Sequence, residues 1–372
     1  MTWPALSLLA FLATALLSAA LTWRCRVWAP RWGFLDRPLS EAHKAHRKAT
    51  PVLGGLAMSC AWLTVTLGGL ALLSWVPALL SAEARELLPG LETIRGRLLT
   101  VALGTVCMTA LGMRDDRHAM PAGRKFLLQF MVAALVALEV RISLFHSLPG
   151  LDGTLHWLAP ALNWLVTSLW IMTVVNALNF FDNMDGLAGG TAMIAAAFFL
   201  LIALLRGQAF VALLSAATCG AAAGFLVFNR PPASIFMGDG GSHFLGYCLA
   251  LSGVLTTFFQ HGESLTATPL LIPLLVLSLP LFDAVAVVCI RLREHRPIYI
   301  GDTRHISHRF ARLGLTRAQS VYLIWLLCVI QGTGALTLVW LPFHGACLVF
   351  LQAIAIFLVI TIIQFFVPEK QS

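Results

Sequence analysis

Two aspartates stand side by side at Asp115-Asp116, and two more lie three residues apart, Asp182 and Asp185, in a segment (176–186) that holds no lysine or arginine. Carboxylates set so close repel one another unless a cation stands between them. Carboxylate, carbonyl and water oxygens suit Mg2+, which binds through one or two carboxylates together with substrate phosphates. Residues suited to phosphate lie in neighbouring segments, Lys125 at the start of an apolar run and His305, His308 and Arg309 further on, and a fifth aspartate, Asp239, stands in the glycine turn Gly238-Asp239-Gly240-Gly241-Ser242. A basic stretch from His43 to Lys48 precedes Gly54-Gly55, where glycines allow close backbone approach to an anion. Each feature taken singly has a plainer explanation. Aspartate and asparagine cap helices and turns, which suffices for Asp36 and Asp283, and basic runs beside a membrane face anionic lipid.

The elements that must carry these residues are membrane helices. The 372 residues are 59% hydrophobic and 11% charged, where soluble chains carry about 25% charged residues. Apolar runs of roughly 20 residues, the length needed to cross a bilayer, recur along the whole chain. They predict spans near 3–23, 52–75, 98–113, 125–146, 157–178, 187–205, 209–228, 242–260, 268–290, 319–340 and 344–367. The first run has no basic flank before it and ends at Trp23-Arg24-Cys25-Arg26 without a small-residue cleavage site, so it reads as a retained span. With the loops assigned alternately to two sides, 20 of the 25 lysines and arginines fall on one side. By the positive-inside rule that side is cytoplasmic, which puts the N-terminus outside and the C-terminus inside. All of the nine aspartates except Asp152 lie in or beside the same loops. The rule acts on Lys and Arg and scarcely on Asp, so this bias calls for chemistry. Eight cysteines are scattered singly with no CxxC pair, which argues against a zinc site or a disulfide framework.

Taken together, the segments resemble the polyprenyl-phosphate N-acetylhexosamine-1-phosphate transferase family. The family pattern runs as a basic loop before Gly-Gly, then GxxDD, NxxNxxDGxDGLAGG, FMGDxGS and DxxHxHHR. It is met in order by Lys48 to Gly55, Gly112 to Asp116, Asn176 to Gly190, Phe236 to Ser242 and Asp302 to Arg309. Two departures stand out: Asn183 takes the place of the first glycine of DGxDG, and Ser307 interrupts the histidine run. Asparagine, like glycine, tolerates the left-handed backbone region.

The resemblance implies an all-α polytopic membrane protein of 10 or 11 spanning helices, one transmembrane transferase domain over residues 1–372, with a cytoplasmic active-site cleft in a bacterial cytoplasmic membrane. It implies transfer of N-acetylhexosamine-1-phosphate, with GlcNAc-1-phosphate favoured, from a UDP-N-acetylhexosamine to polyprenyl phosphate. Asp115 and Asp116 are then the catalytic candidates, and Asp182 and Asp185 the metal candidates for Mg2+ or Mn2+. Lys48, Lys125, Asn176, Asn179, Asp239, His305, His308 and Arg309 are the substrate-binding candidates. Membrane lipids are the other expected partners, nucleic acid is not one, and a homodimer is a conceivable assembly. The competing class is a secondary transporter of an anion, which places ionisable groups near the bilayer midplane and shows internal repeats. Here the acids gather at one surface instead.

Overall fold

The computed structural model describes residues 2–36, 49–75, 88–141, 157–256, 271–295, 297 and 304–366. Lys48, one of the expected phosphate contacts, lies outside these residues. Among the described residues the protein is almost wholly helical, as the apolar runs predict. In chain order the helices are α1 (Trp3–Trp32), α2 (Gly54–Trp75), α3 (Leu88–Arg117), α4 (Ala122–Val136), α5 (Ala159–Phe181), α6 (Leu187–Leu205), α7 (Ala209–Asn229), α8 (Gly238–Leu255), α9 (Ile272–Val276), α10 (Ser278–Arg293), α11 (Ile306–Arg312), α12 (Arg317–Thr337) and α13 (Phe343–Phe366). The two short strands β1 (Leu35–Asp36) and β2 (Thr50–Pro51) pair antiparallel, with Leu35 opposite Pro51.

Eight of these helices are long and apolar enough to cross a membrane. The others that fall in predicted spans depart from the simple pattern for physical reasons. Helix α8 packs against α2, α3, α5, α6 and α7, and every residue from Gly240 to Gly253 is buried. A central helix shielded from lipid can carry Ser242, His243 and Tyr247, which dilute its hydropathy. The span expected over 268–290 is two helices that break at Leu277. Pro280 has no N–H for the Val276 carbonyl and its ring crowds the preceding turn, so one continuous helix is disfavoured. Helix α4 ends at Val136, ten residues before the predicted limit of 146.

Small residues let several of these helices approach closely, as expected where lipid is as apolar as leucine. The buried stripe of α1 is Ser7, Thr14, Ser18, Thr22, Cys25 and Ala29, while Leu8, Leu12 and Leu16 face outward. This stripe meets Gly220 and Gly224 of α7, where an added Cβ would lie 2.4 Å from the Phe11 carbonyl oxygen and 2.2 Å from that of Ala15. Ser18 Oγ donates to the Ala221 carbonyl across the same contact at 2.8 Å. Gly190 similarly admits the Trp325 indole, 2.1 Å from where a Cβ would stand, so Leu187 to Gly190 serve helix packing.

Candidate active site

The N-terminus of α8 is the point on which the polar residues converge, and glycines make room for it. A Cβ on Gly55 would lie 2.2 Å from the Gly241 nitrogen, and one on Gly112 would lie 2.3 Å from the Asp239 carbonyl oxygen. The expectation that Gly54-Gly55 opens onto a phosphate is therefore corrected: both are buried against protein. Gly54 N–H donates to the Phe236 carbonyl at 3.1 Å and Gly55 N–H to that of Met237 at 3.0 Å. These bonds pin the start of α2 to the turn that launches α8.

Asp116, at the end of α3, accepts the Asp239 N–H at 2.7 Å on one oxygen and the Gly240 N–H at 3.1 Å on the other. It thereby caps α8, whose free N–H groups and positive dipole end favour an anion. Gly238 sits at φ +69°, and a side chain there would run into both Asp116 and Val52. Asp115 turns the other way. It accepts the Met120 N–H at 2.6 Å and ion-pairs with Lys125 Nζ at 2.9 Å. The same ammonium reaches Asp239 Oδ2 at 2.5 Å. Asn179 completes the cluster, donating to Asp239 Oδ1 at 2.8 Å and to Ser242 Oγ at 2.9 Å. Four helices, α3, α4, α5 and α8, are thus tied at one pole through Lys125 and Asp239.

Asp182 stands beside this cluster, immediately after α5, where the negative end of the helix dipole disfavours a carboxylate. Its side chain has no hydrogen-bond or ion-pair partner among the described residues. Burial first, then the neighbouring charges of Asp239, Asp116 and Asp185, push its carboxyl up from 3.8 to about 8. Asp185 is better satisfied: one of its oxygens accepts the Ala233 N–H at 2.9 Å. Asn229 holds the same turn from the other side, accepting the Gly186 N–H at 3.0 Å and donating to the Ile235 carbonyl at 2.9 Å.

The two asparagines expected to bind substrate have different partners. Asn176 donates to Gln129 Oε1 and to the Met172 carbonyl, each at 2.8 Å. Gln129 in turn meets His243 Nε2 at 3.1 Å, and both are fully buried. Asn176 therefore belongs to a polar chain inside the bundle, one helical turn before Asn179.

The basic segment near residue 305 forms α11. His305 is buried and its Nδ1 lies 2.7 Å from Asp283 Oδ2, while Asp283 Oδ1 accepts the Ile306 N–H at 2.7 Å. His308 is half-buried, and burial, then its neighbours His305, Arg317 and Arg312, hold its imidazole down at about 4. It is a neutral donor near pH 7. Arg309 donates through Nε to the Arg304 carbonyl at 2.9 Å. Asp283, read from sequence as an ordinary cap, does cap α11 and also orients an imidazole. The signal was there: an acid inside a predicted membrane span is rarely idle. Asn183 and Ser307, the two departures from the family pattern, touch: Ser307 Oγ donates to Asn183 Oδ1 at 2.5 Å. The left-handed backbone expected to be tolerated at 183 is not used there. In this turn it falls to Gly186 at φ +76°, and His295 is the non-glycine residue with positive φ among those described.

A bundle of membrane helices that delivers carboxylates, amides, a shared ammonium and a histidine-bearing helix to one pole defines a multi-pass membrane protein with a charged site at one end of its helices. Residues 98–257, from α3 past the end of α8, match the glycosyl transferase family 4 sequence profile. Over 331 residues the chain is 32% identical to the probable undecaprenyl-phosphate N-acetylglucosaminyl 1-phosphate transferase of Bacillus subtilis, covering 87% of this chain and 84% of that protein. It is 30% identical to the decaprenyl-phosphate N-acetylglucosaminephosphotransferase of Mycobacterium tuberculosis, over 95% of this chain and 87% of the relative. The phospho-N-acetylmuramoyl-pentapeptide-transferase of Geobacillus kaustophilus is 33% identical over 58% of this chain and 64% of its own length. The chain belongs to glycosyl transferase family 4, among the polyprenyl-phosphate N-acetylhexosamine-1-phosphate transferases.

Proposed function

We propose that this protein transfers N-acetylglucosamine-1-phosphate from the UDP-sugar to undecaprenyl phosphate at the cytoplasmic face of a bacterial membrane, releasing UMP. The observation that carries the reading is the pole itself, where Lys125 bridges Asp115 and Asp239 beside Asp182, whose carboxyl has no partner among the described residues. The two N-acetylglucosamine-1-phosphate transferases that match this chain over most of its length support the transferred group and a polyprenyl phosphate acceptor. The 20 basic residues on one side support the cytoplasmic placement.

The donor set fits Mg2+, with Mn2+ as a substitute. Asp182 offers hard oxygen ligands with no partner among the described residues and with further carboxylates near it. Among the described residues no group of three or more His, Cys, Asp or Glu is gathered closely enough to enclose an ion. Mg2+ is commonly bound by one or two carboxylates and completed by substrate phosphates. When bound, the cation supplies neutralisation of the donor diphosphate. Asp182 would hold it, with Asp239 facing and Asp185 fixing the turn behind.

In the reaction an oxygen of the lipid phosphate attacks the sugar-bearing phosphorus, the phosphoanhydride bond to UMP breaks, and UMP leaves with the bonding electrons. Lys125 offers positive charge where the phosphoryl oxygens gain negative charge, the term that dominates phosphoryl transfer. Asp115 holds Lys125 in place and is the candidate to take a proton from the acceptor. A phosphate monoester is already largely ionised near neutral pH, so that proton transfer is a small part of the barrier. Asp116 acts as a positioning residue, since both its oxygens are spent on the α8 N-terminus. His305, His308 and Arg309 would line the donor side on α11.

Purified protein in detergent with undecaprenyl phosphate, Mg2+ and a panel of UDP-sugars tests this directly. UMP release is expected with UDP-N-acetylglucosamine or a close epimer. Release with UDP-muramyl-pentapeptide alone would overturn the donor assignment, and release with no UDP-sugar would overturn the reaction.

A further inference from the structure

Asn183 directly follows Asp182, and Ser307 lies between His305 and His308. Asn183 donates through Nδ2 to the Phe180 carbonyl at 3.0 Å, satisfying one of the free carbonyls at the end of α5, and accepts the Ser307 hydroxyl on its Oδ1. Ser307 is completely buried. One side chain thus ties the C-terminus of α5 to the first turn of α11, at the seam between the acidic turn and the histidine helix. These same two positions depart from the family pattern, which has glycine at the first and histidine at the second. The contact gives that coincidence a steric reason. A buried site that holds a hydroxyl has no room for an imidazole unless a neighbour withdraws, and the neighbour in contact is the side chain that a glycine at 183 would lack.

We propose that the Asn183–Ser307 hydrogen bond is a positioning link that sets the distance between Asp182 and the pair His305 and His308, and that the two residues form one exchangeable unit, replaceable together but not singly. This rests on the reading of Asp182 and α11 as parts of one donor site. Neither residue needs to touch substrate. Loss of the link would let the Asp182 turn and α11 drift apart, which acts on the donor and the cation rather than on the lipid acceptor.

The test is a double-mutant cycle on the full-length protein in detergent, with kcat, KM for UDP-N-acetylglucosamine, the half-saturating Mg2+ concentration and the thermal midpoint measured for each variant. Asn183→Gly and Ser307→Ala are each expected to lower kcat/KM for the donor roughly two- to tenfold, the range of one neutral hydrogen bond. Both should raise the half-saturating Mg2+ concentration several-fold, and the double variant should be no worse than the poorer single one. Ser307→His alone is expected to lose more, and Asn183→Gly combined with Ser307→His to regain most of that loss. Additive losses in the first pair, an unchanged Mg2+ requirement, or Ser307→His as active as the parent would overturn the link. If Ser307→His fails to fold, the Asn183→Gly and Ser307→Ala cycle alone decides. If the parent protein turns over no UDP-sugar, the proposed function falls instead, and the link is still judged by whether the shifts in thermal midpoint of those two variants are coupled or additive.

Discussion

Replacing Asp182 by asparagine separates a cation-binding carboxylate from a turn-forming one, and the structure gives both effects a size. In the metal-free protein the carboxyl is pushed from 3.8 to about 8. At about 1.4 kcal/mol per tenfold in proton affinity, its ionised form costs at most roughly 6 kcal/mol, and less because the side chain is half-buried and water screens it. The native carboxyl holds its proton more tightly than the unfolded chain does, so the native state carries more protons between pH 3.8 and about 8. Stability of the metal-free protein therefore falls as pH rises through that window. Asp182→Asn removes the charge and most of that slope, so in EDTA at pH 8 the variant is expected to melt no lower than the parent. Turnover should fall about 10²–10³-fold, the loss typical of one preorganised electrostatic partner. Saturating Mg2+ should stabilise the parent and leave the variant unmoved. The assay pairs UMP release against Mg2+ concentration with thermal unfolding at pH 6 and pH 8, both in one detergent. A variant that kept more than about a tenth of the parent rate, or that showed the parent's slope with pH, would remove Asp182 from the cation site.

Lys125→Met leaves Asp115 and Asp239 facing each other without the shared ammonium. It should abolish turnover and destabilise by roughly 3–5 kcal/mol, the cost of breaking a buried ion pair from one side, seen as a lower thermal midpoint; an unchanged midpoint would mean that water replaces the lysine. Asp283→Asn keeps an acceptor for the Ile306 N–H but weakens the hold on His305. A rise in KM for the UDP-sugar of roughly 10–100-fold is expected, with the Mg2+ requirement unaltered, and a fall in kcat alone would contradict the role given to α11. In a cysteine-free background, single cysteines at Arg124 and Arg317, both exposed, should be labelled from the cytoplasm and one at Pro342 from outside. Labelling of Arg124 and Arg317 positions from opposite sides would dismantle the one-pole arrangement.

Much of this architecture is legible in the sequence because a bilayer imposes one rule on every span: apolar, about 20 residues, helical. The rule succeeds for α1, α6, α7 and α12, which face lipid or each other, and weakens where a helix is shielded. Helix α8 is surrounded by protein, so its sequence answers to its neighbours and to Asp116, not to lipid. The break at Leu277 follows from Pro280, a residue visible in the chain whose consequence depends on what is packed around it. Individual site residues were legible as types while their partners were not. Asp115-Asp116 announces a pair of acids, yet only the fold shows that one is held by a lysine ten residues on and the other by a backbone 123 residues away. Pairings of that kind are set by tertiary approach, which for α8 depends on Gly55 and Gly112 giving way to its first turn. Asn183 and Ser307 make the same point from the opposite direction. As isolated letters they read as two unrelated losses from a motif, whereas their contact turns them into one local solution for joining the acidic turn to the histidine helix.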